Sequence, residues 1–386
     1  MLFGAKKNRF DTLFDTGPIM LEVRSDNPDQ VDCLNDYFGP YLKGGSSETK
    51  SKVARLHVSS SPAGYLRTVQ LCSKAARVGT IEHHPDTRYE VFRLNRDSTA
   101  FLARTGYPHV IVRNSVNNFE VLHSSLKDPE GPKPALRLAR ELVVAEVEGE
   151  TGATVHASSA SIGGEGFLFV GDSGAGKTTC ALATAFEREG AFVSGDRTIV
   201  KFDGTSTSLF GWPMAVNVGR SALMAILKPS AKDLPSKFRN SYFDEYHSSS
   251  SMQFSNEVGA KLALSPKEFE SIGVKFCFDA PLSGVVFPKI SPSEVPKILI
   301  NRLSPIEAAK RFKAQLKIGV NSGHGYGLVR RQYCARSHEA DTGRRVDKLL
   351  TSIPCMSLHL THGALNRVFS GELKLTGALR RGMKDA

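Results

Sequence analysis

Cysteine is scarce and dispersed: Cys33, Cys72, Cys180, Cys277, Cys334 and Cys355 lie far apart, with no C-x-x-C pair. That spacing suggests neither a zinc ribbon nor a disulfide framework, and a reducing compartment is the simpler expectation. Long apolar runs are missing as well. No stretch approaches the roughly 18 apolar residues that a membrane span needs, and the opening MLFGAKKNRF lacks the apolar core and cleavage site of a signal peptide. A cytoplasmic protein with no membrane partner is expected. No internal repeat is visible. The basic end at 374–384 has no aromatic residue for stacking on bases, so it reads as a solvated tail and nucleic acid is a disfavoured partner.

What is present is enough for a folded protein of two or three units: 386 residues, of which 40% are hydrophobic and 23% charged. The net charge of +11 suits an anionic ligand such as a nucleotide, and it suits nucleic acid or an acidic protein as well. A homo-oligomer is compatible with the composition.

Residues 18–24 read as a strand, followed by an Asp/Asn/Pro turn and a helix with Val31, Leu34, Tyr37 and Phe38 on one face; 44–47 reads as a flexible link. Alternating segments at 53–58, 89–94 and 109–113 suggest antiparallel strands. The breaker-rich stretch 127–134 predicts a boundary, after which Leu136, Ala139, Leu142, Val143 and Val147 recur at helical spacing. The expected division is a small α+β domain over 1–130 and an α/β nucleotide-binding domain over 131–386. Within the second, strands are expected at 167–170, 191–194 and 282–287. The polar, basic stretch 232–266, with Ser248 to Ser251 in its middle, suits a lid-like insertion.

The chemistry concentrates in Gly171-Asp172-Ser173-Gly174-Ala175-Gly176-Lys177-Thr178, a P-loop pattern. It follows the apolar strand Phe167-Leu168-Phe169-Val170 and opens the helix Lys177-Thr178-Thr179-Cys180-Ala181-Leu182. Glycines let successive N–H groups wrap phosphates, and the helix N-terminus adds partial positive charge. Lys177 reaches the β- and γ-phosphates, and the Thr178 hydroxyl binds Mg²⁺. The cofactors expected are therefore ATP and Mg²⁺, with Thr179 completing the cofactor-binding run. Asp196, after the strand at 191–194, is placed to hold the metal directly or through water; its alternative is a turn residue.

The stretch from Val155 to Val200 resembles the HPr kinase/phosphorylase-like P-loop family, related in its core to phosphoenolpyruvate carboxykinase. The resemblance rests on Val155-His156-Ala157, on 164–170 leading into the loop, and on Ala191-Phe192-Val193-Ser194-Gly195-Asp196-Arg197. More diffuse likeness reaches Val23 to Asp26, Phe38 to Tyr41, Ala280 to Leu282 and Ile353 to Cys355. It implies a kinase that moves the γ-phosphoryl group of ATP to a hydroxyl of a protein, peptide or small metabolite. It implies a catalytic role for His156, which lies 15 positions before Gly171. The family often has two consecutive acids after the second strand; here Gly195 stands for the first and Asp196 for the second. Thr179 stands where true HPr kinase/phosphorylases have a glutamate, which argues against phosphorylase activity and against HPr as the substrate.

His156 is then the leading general base or charge stabiliser, against the alternative of a hydrogen-bonded core residue. Arg197 either neutralises charge on the transferring phosphoryl group or pairs with a carboxylate as a structural residue. Three functions compete: a hydroxyl kinase, a nucleotide-gated regulatory module without efficient transfer, and an NTPase acting on nucleic acid. His83, His84 and Asp86 read as a solvated turn, not a metal cluster. The glycine-rich 321–327, followed by Arg330 and Arg331, reads either as a ligand loop that closes over an acidic substrate or, by default, as a surface connection.

Overall fold

A computed structural model describes residues 10–42, 52–84, 87–125, 131–149, 151–204, 206–227, 261–316, 328–329 and 335–384. Among them the chain is mixed α/β, with two large sheets and helices packed on them. It divides into two units. The described residues of Met1–Asn35, Gly45–Val147 and Gly319–Ala335 form the first, and those of Asp36–Gly44, Glu148–Ile318 and Arg336–Ala386 the second.

In the first unit, β1 (Phe10–Asp15), β2 (Ile19–Ser25), β3 (Lys52–Ser59), β4 (Ala76–His84), β5 (Thr87–Arg93), β6 (Thr99–Ala103), β7 (His109–Ser115) and β8 (Asn118–His123) make one sheet. Its order is β1-β2-β3-β8-β7-β6-β5-β4. The period-two pattern is plain in β2, where Ile19, Leu21 and Val23 are buried and the residues between them are not. β3 runs parallel to β2 and to β8, and parallel neighbours need a crossover. α1 (Pro28–Phe38) supplies it between β2 and β3. α2 (Pro62–Lys74) starts at Ser61, whose hydroxyl accepts from the Gly64 N–H, with Pro62 in the first turn. Its Tyr65, Val69 and Cys72 cover Phe92, Leu102, Val110 and Leu122.

α3 (Pro132–Glu148) has the expected buried stripe of Leu136, Ala139, Leu142, Val143 and Val147. It belongs to the first unit as far as Val147, not to the second. Arg137 donates to the Thr87 hydroxyl (3.0 Å), and Glu141 bonds His83. An amphipathic period specifies that a face is buried; it carries no label for the sheet that covers it. The same contact corrects the reading of His83 as part of a solvated turn: it lies on β4, 6% exposed, against a buried carboxylate. Asp86 lies outside the described residues.

The second unit contains β9 (Gly152–Val155), β10 (Ala157–Ile162), β11 (Glu165–Val170), α4 (Lys177–Ala185), β12 (Gly190–Ser194), β13 (Thr198–Asp203) and β14 (Ser206–Phe210). Beyond these come β15 (Val216–Gly219), α5 (Arg220–Leu227), β16 (Lys261–Leu264), α6 (Pro266–Ser271), β17 (Asp279–Ser291), β18 (Ile298–Arg302) and α7 (Pro305–Lys313). The chain closes with α8 (Ala335–Ser352), β19 (Cys355–Thr361), α9 (His362–Phe369) and α10 (Leu375–Lys384). The main sheet runs β12-β10-β11-β17-β14-β13-β9, with β19 beside β17 and β18 beside β19. β11, β17 and β19 are mutually parallel neighbours, so their C-terminal ends open on one edge of the sheet. Leu168, Val170, Val285 and Phe287 pack there with Phe312 of α7 and Leu350 of α8.

The stretch expected as an insertion is structured at its end, where β16 pairs with β15 and Ser265 forms a capping box with Glu268. The rest of it, Ser248 to Ser251 included, lies outside the described residues, as do 44–47, 321–327, Arg330 and Arg331. The basic end is not a solvated tail: it is α10, which buries Leu375 and Leu379 and pairs Arg380 with Glu165 at 2.6 Å. Among the described residues no helix is long and apolar enough to cross a membrane.

Candidate functional site

β11 ends at Val170, and the chain passes through the glycine-rich turn before α4 begins at Lys177. Gly174 and Gly176 have φ of 83° and 95°. A Cβ on Gly176 would lie 2.2 Å from Ile290 Cδ1 of β17, so glycine is required there both for the backbone and for the close approach. Asp172, Ser173 and Gly174 are exposed, and Gly171, Ala175, Thr178 and Thr179 are half-buried. Lys177 is buried, and its ammonium donates to the carbonyls of Gly171 (2.8 Å) and Asp172 (3.0 Å). The side chain thus folds back to the first two residues of the turn. Thr178 Oγ1 lies 3.2 Å from the Ser158 hydroxyl on β10.

His156 sits in the break between β9 and β10, held by its own N–H to the Gln315 carbonyl (2.8 Å). The Gln315 side chain joins it to the glycine-rich turn: Nε2 donates to Asp172 Oδ1 (2.9 Å), and Oε1 lies 2.9 Å from His156 Nδ1. With the amide so oriented, Nδ1–H is the donor. On the other side, His156 Nε2 lies 3.3 Å from Asp196 Oδ1. Four side chains, Asp172, Gln315, His156 and Asp196, therefore run in single file, with the Lys177 ammonium on the Asp172 carbonyl at one end.

Asp196 follows β12 at φ 61°, a left-handed conformation that Asp tolerates better than most residues. Ser194 fixes this turn by donating to the Arg197 carbonyl and accepting from the Trp212 N–H. The hydrogen bond from His156 is the main reason that the Asp196 carboxyl is held below its usual range. Burial opposes the shift, and the charges of His156, Arg197 and Lys177 reinforce it. Arg197 lies 3.8 Å from the same carboxylate and 5.2 Å from the centre of the Trp212 ring. It is thus anchored by a carboxylate and an aromatic face. Gly195 needs no positive φ, but a Cβ there would meet Phe192 and Val216 at 3.3 Å.

Among the described residues no three His, Cys, Asp or Glu side chains converge on a common metal position. Mg²⁺ does not require such a set, because it is commonly held by one or two protein oxygens together with phosphate oxygens. Thr178 and the Asp196 carboxylate, ionised and within the field of Lys177, fit that requirement. Gln315 was not legible beforehand: it is 159 positions from His156 and lies in no motif. Ser158 is equally silent in the sequence. No protein-family model matches the chain, and no curated protein matches it.

Proposed function

We propose that this chain is an ATP-dependent kinase of the HPr kinase/phosphorylase-like P-loop type, transferring the γ-phosphoryl group to a hydroxyl of a protein, peptide or small metabolite. The observation that carries the reading is the file Asp172, Gln315, His156, Asp196 alongside a glycine-rich turn that delivers Lys177 and Thr178 at the start of a helix. A bare glycine turn needs no such file. The strand, turn and helix order, flanked by the parallel strands β17 and β19, supports a core of the HPr kinase and phosphoenolpyruvate carboxykinase type.

In this reading the backbone N–H groups of 172–178 hold the phosphates, and Lys177 leaves the Gly171 and Asp172 carbonyls to neutralise the β- and γ-phosphates. Bound Mg²⁺ supplies further charge neutralisation on the phosphate oxygens. Nδ1 of His156 stays bonded to Gln315, which leaves Nε2 as the basic atom that accepts the proton of the attacking hydroxyl. Asp196, 3.3 Å from Nε2, orients that ring and stabilises the imidazolium formed when Nε2 takes the proton. Arg197, held against Trp212, adds positive charge beside Asp196.

The test is turnover of γ-labelled ATP by the wild-type chain and by Lys177→Ala. The variant is expected to fold normally and lose turnover; equal turnover in a folded variant would sink the reading. A second reading, an ATP-binding regulatory module, is favoured by Gly195, which offers no carboxylate where the resembling family has one. Tight Mg·ATP binding by wild type with no phosphate released or transferred would establish it instead.

A further inference from the structure

A cavity of about 650 Å³ opens at the C-terminal ends of β11, β17 and β19, roofed by α7. Gly171 and Asp172 form part of one wall, and Lys289, Lys310, Arg311 and His359 line the others. Resting on the kinase reading, we propose that this cavity is the acceptor subsite and that it takes a small hydroxyl compound bearing a phosphate monoester or a carboxylate.

The position follows from Lys177. Its ammonium, which serves the β- and γ-phosphates in this reading, rests on Gly171 and Asp172. The wall formed by those two residues therefore faces the γ end of the triphosphate, where an acceptor must enter. Gln315 also lines the cavity and reaches His156, so the proton acceptor is one side chain away.

The ligand class follows from charge. Arg311 is neutralised by Glu307 at 2.7 Å and lies against Phe287, and His359 bonds Ser291 (3.0 Å). Among the described residues neither Lys289 nor Lys310 has a carboxylate partner. Asp172, the remaining acid of the wall, already accepts from Gln315. Two lysines without a carboxylate partner thus line a cavity whose size lies in the range of small-molecule sites, about 300–1,000 Å³. Such a space suits a metabolite-sized anion. In the transfer, the acceptor oxygen bonds the γ-phosphorus as the bond to the β–γ bridging oxygen breaks. ADP leaves with that electron pair, and the hydroxyl proton passes to His156 Nε2.

The experiment measures binding of glycerol 3-phosphate, L-malate and neutral glycerol to the full chain carrying Mg²⁺ and a non-hydrolysable ATP analogue, in wild type and in Lys289→Ala/Lys310→Ala. At least one anion should bind wild type while glycerol does not, and the double variant should lose about tenfold or more in that affinity. Whether the phosphate or the carboxylate probe binds tells the two sources apart. Normal uptake of the ATP analogue with no uptake of either anion would overturn the subsite. So would a double variant that loses affinity for Mg·ATP and keeps it for Mg·ADP, since the lysines would then serve the γ-phosphate. With γ-labelled ATP and a cell extract, label should enter the low-molecular-weight fraction; label confined to protein would equally overturn it. Failure of the wild-type chain to bind Mg·ATP at all would instead bring down the kinase reading on which the subsite rests.

Discussion

Each unit of this protein holds a histidine with both ring nitrogens engaged, and the two settings differ in what the second nitrogen meets. In the first unit His109 donates from Nδ1 to the Tyr107 carbonyl and accepts at Nε2 from the Tyr89 hydroxyl, 2.6 Å away, in a fully buried position. Burial there holds the ring at a pKa of about 3, a neutral group bonded by neutral groups. In the second unit His156 also donates from Nδ1, but Nε2 faces a carboxylate, and the pair is partly open to solvent. The first arrangement closes among neutral groups in a core; the second ends on an ionised carboxylate that is partly open to solvent. The two networks are thus told apart by whether one end is charged and open to solvent, not by the number of titratable groups in them. By count the first unit is the richer, with His83, His109, His123 and Glu141 all buried.

The comparison breaks most visibly if its two networks respond alike to mutation. His156→Ala should lower turnover by about 10²–10⁴-fold while Mg·ATP affinity and thermal stability stay near wild type. Steady-state kinetics with a parallel binding titration checks this, and a loss of stability without a loss of turnover would place His156 with the core histidines. Glu141→Ala should do the opposite. Removing one member of the buried His83–Glu141 pair should destabilise the first unit by about 3–5 kcal/mol and leave Mg·ATP affinity unchanged, read by urea unfolding and calorimetric titration.

Acid should sharpen the contrast. His109 and His123 are pushed down to about 3 and about 4, mainly by burial, from an ordinary 6.5. Below that ordinary value the unfolded chain binds more protons than the folded one, so their contribution to stability is complete above it and is lost as pH falls toward the folded values. Glu141, whose carboxyl is raised chiefly by burial, works in the opposite sense and offsets part of the loss. Amides of β7 and β8 should therefore exchange faster at about pH 5 than at about pH 7.5 after correction for intrinsic rates. Unchanged corrected rates would contradict the neutral, buried assignment. The smallest effect is expected from Thr178→Ala, which should weaken ATP binding by about tenfold with Mg²⁺ and hardly at all in a chelator. Equal losses under both conditions would remove Thr178 from the metal.

The local part of this architecture was legible in the sequence. The strand, glycine turn and helix around 167–182 are written in consecutive residues, and so is the period-two strand at 53–58, although it pairs in parallel with both neighbours where antiparallel pairing was expected; at 109–113 the strand is there but its first four residues are all buried. What was not legible depends on which distant segments meet. α3 shows its buried face in the sequence but not its sheet, so it was expected in the wrong unit. His83 appeared solvated because Glu141 lies 58 positions away. Gln315, the link between Asp172 and His156, follows α7 with no local signature, and Lys289, Lys310 and His359 reach one cavity from three separate elements. Residues 374–384 read as a tail because their apolar face is only Leu375, Ala378, Leu379 and Met383 among basic neighbours.

The most direct test is a crystal structure of the wild-type chain with Mg²⁺ and a non-hydrolysable ATP analogue. The expected result is the triphosphate on the backbone N–H groups of 172–178, with Lys177 moved from the Gly171 and Asp172 carbonyls onto the β- and γ-phosphates and the γ end directed at His156 and the 650 Å³ cavity. A nucleotide bound elsewhere, or Lys177 still on those two carbonyls with the analogue in place, would contradict the account.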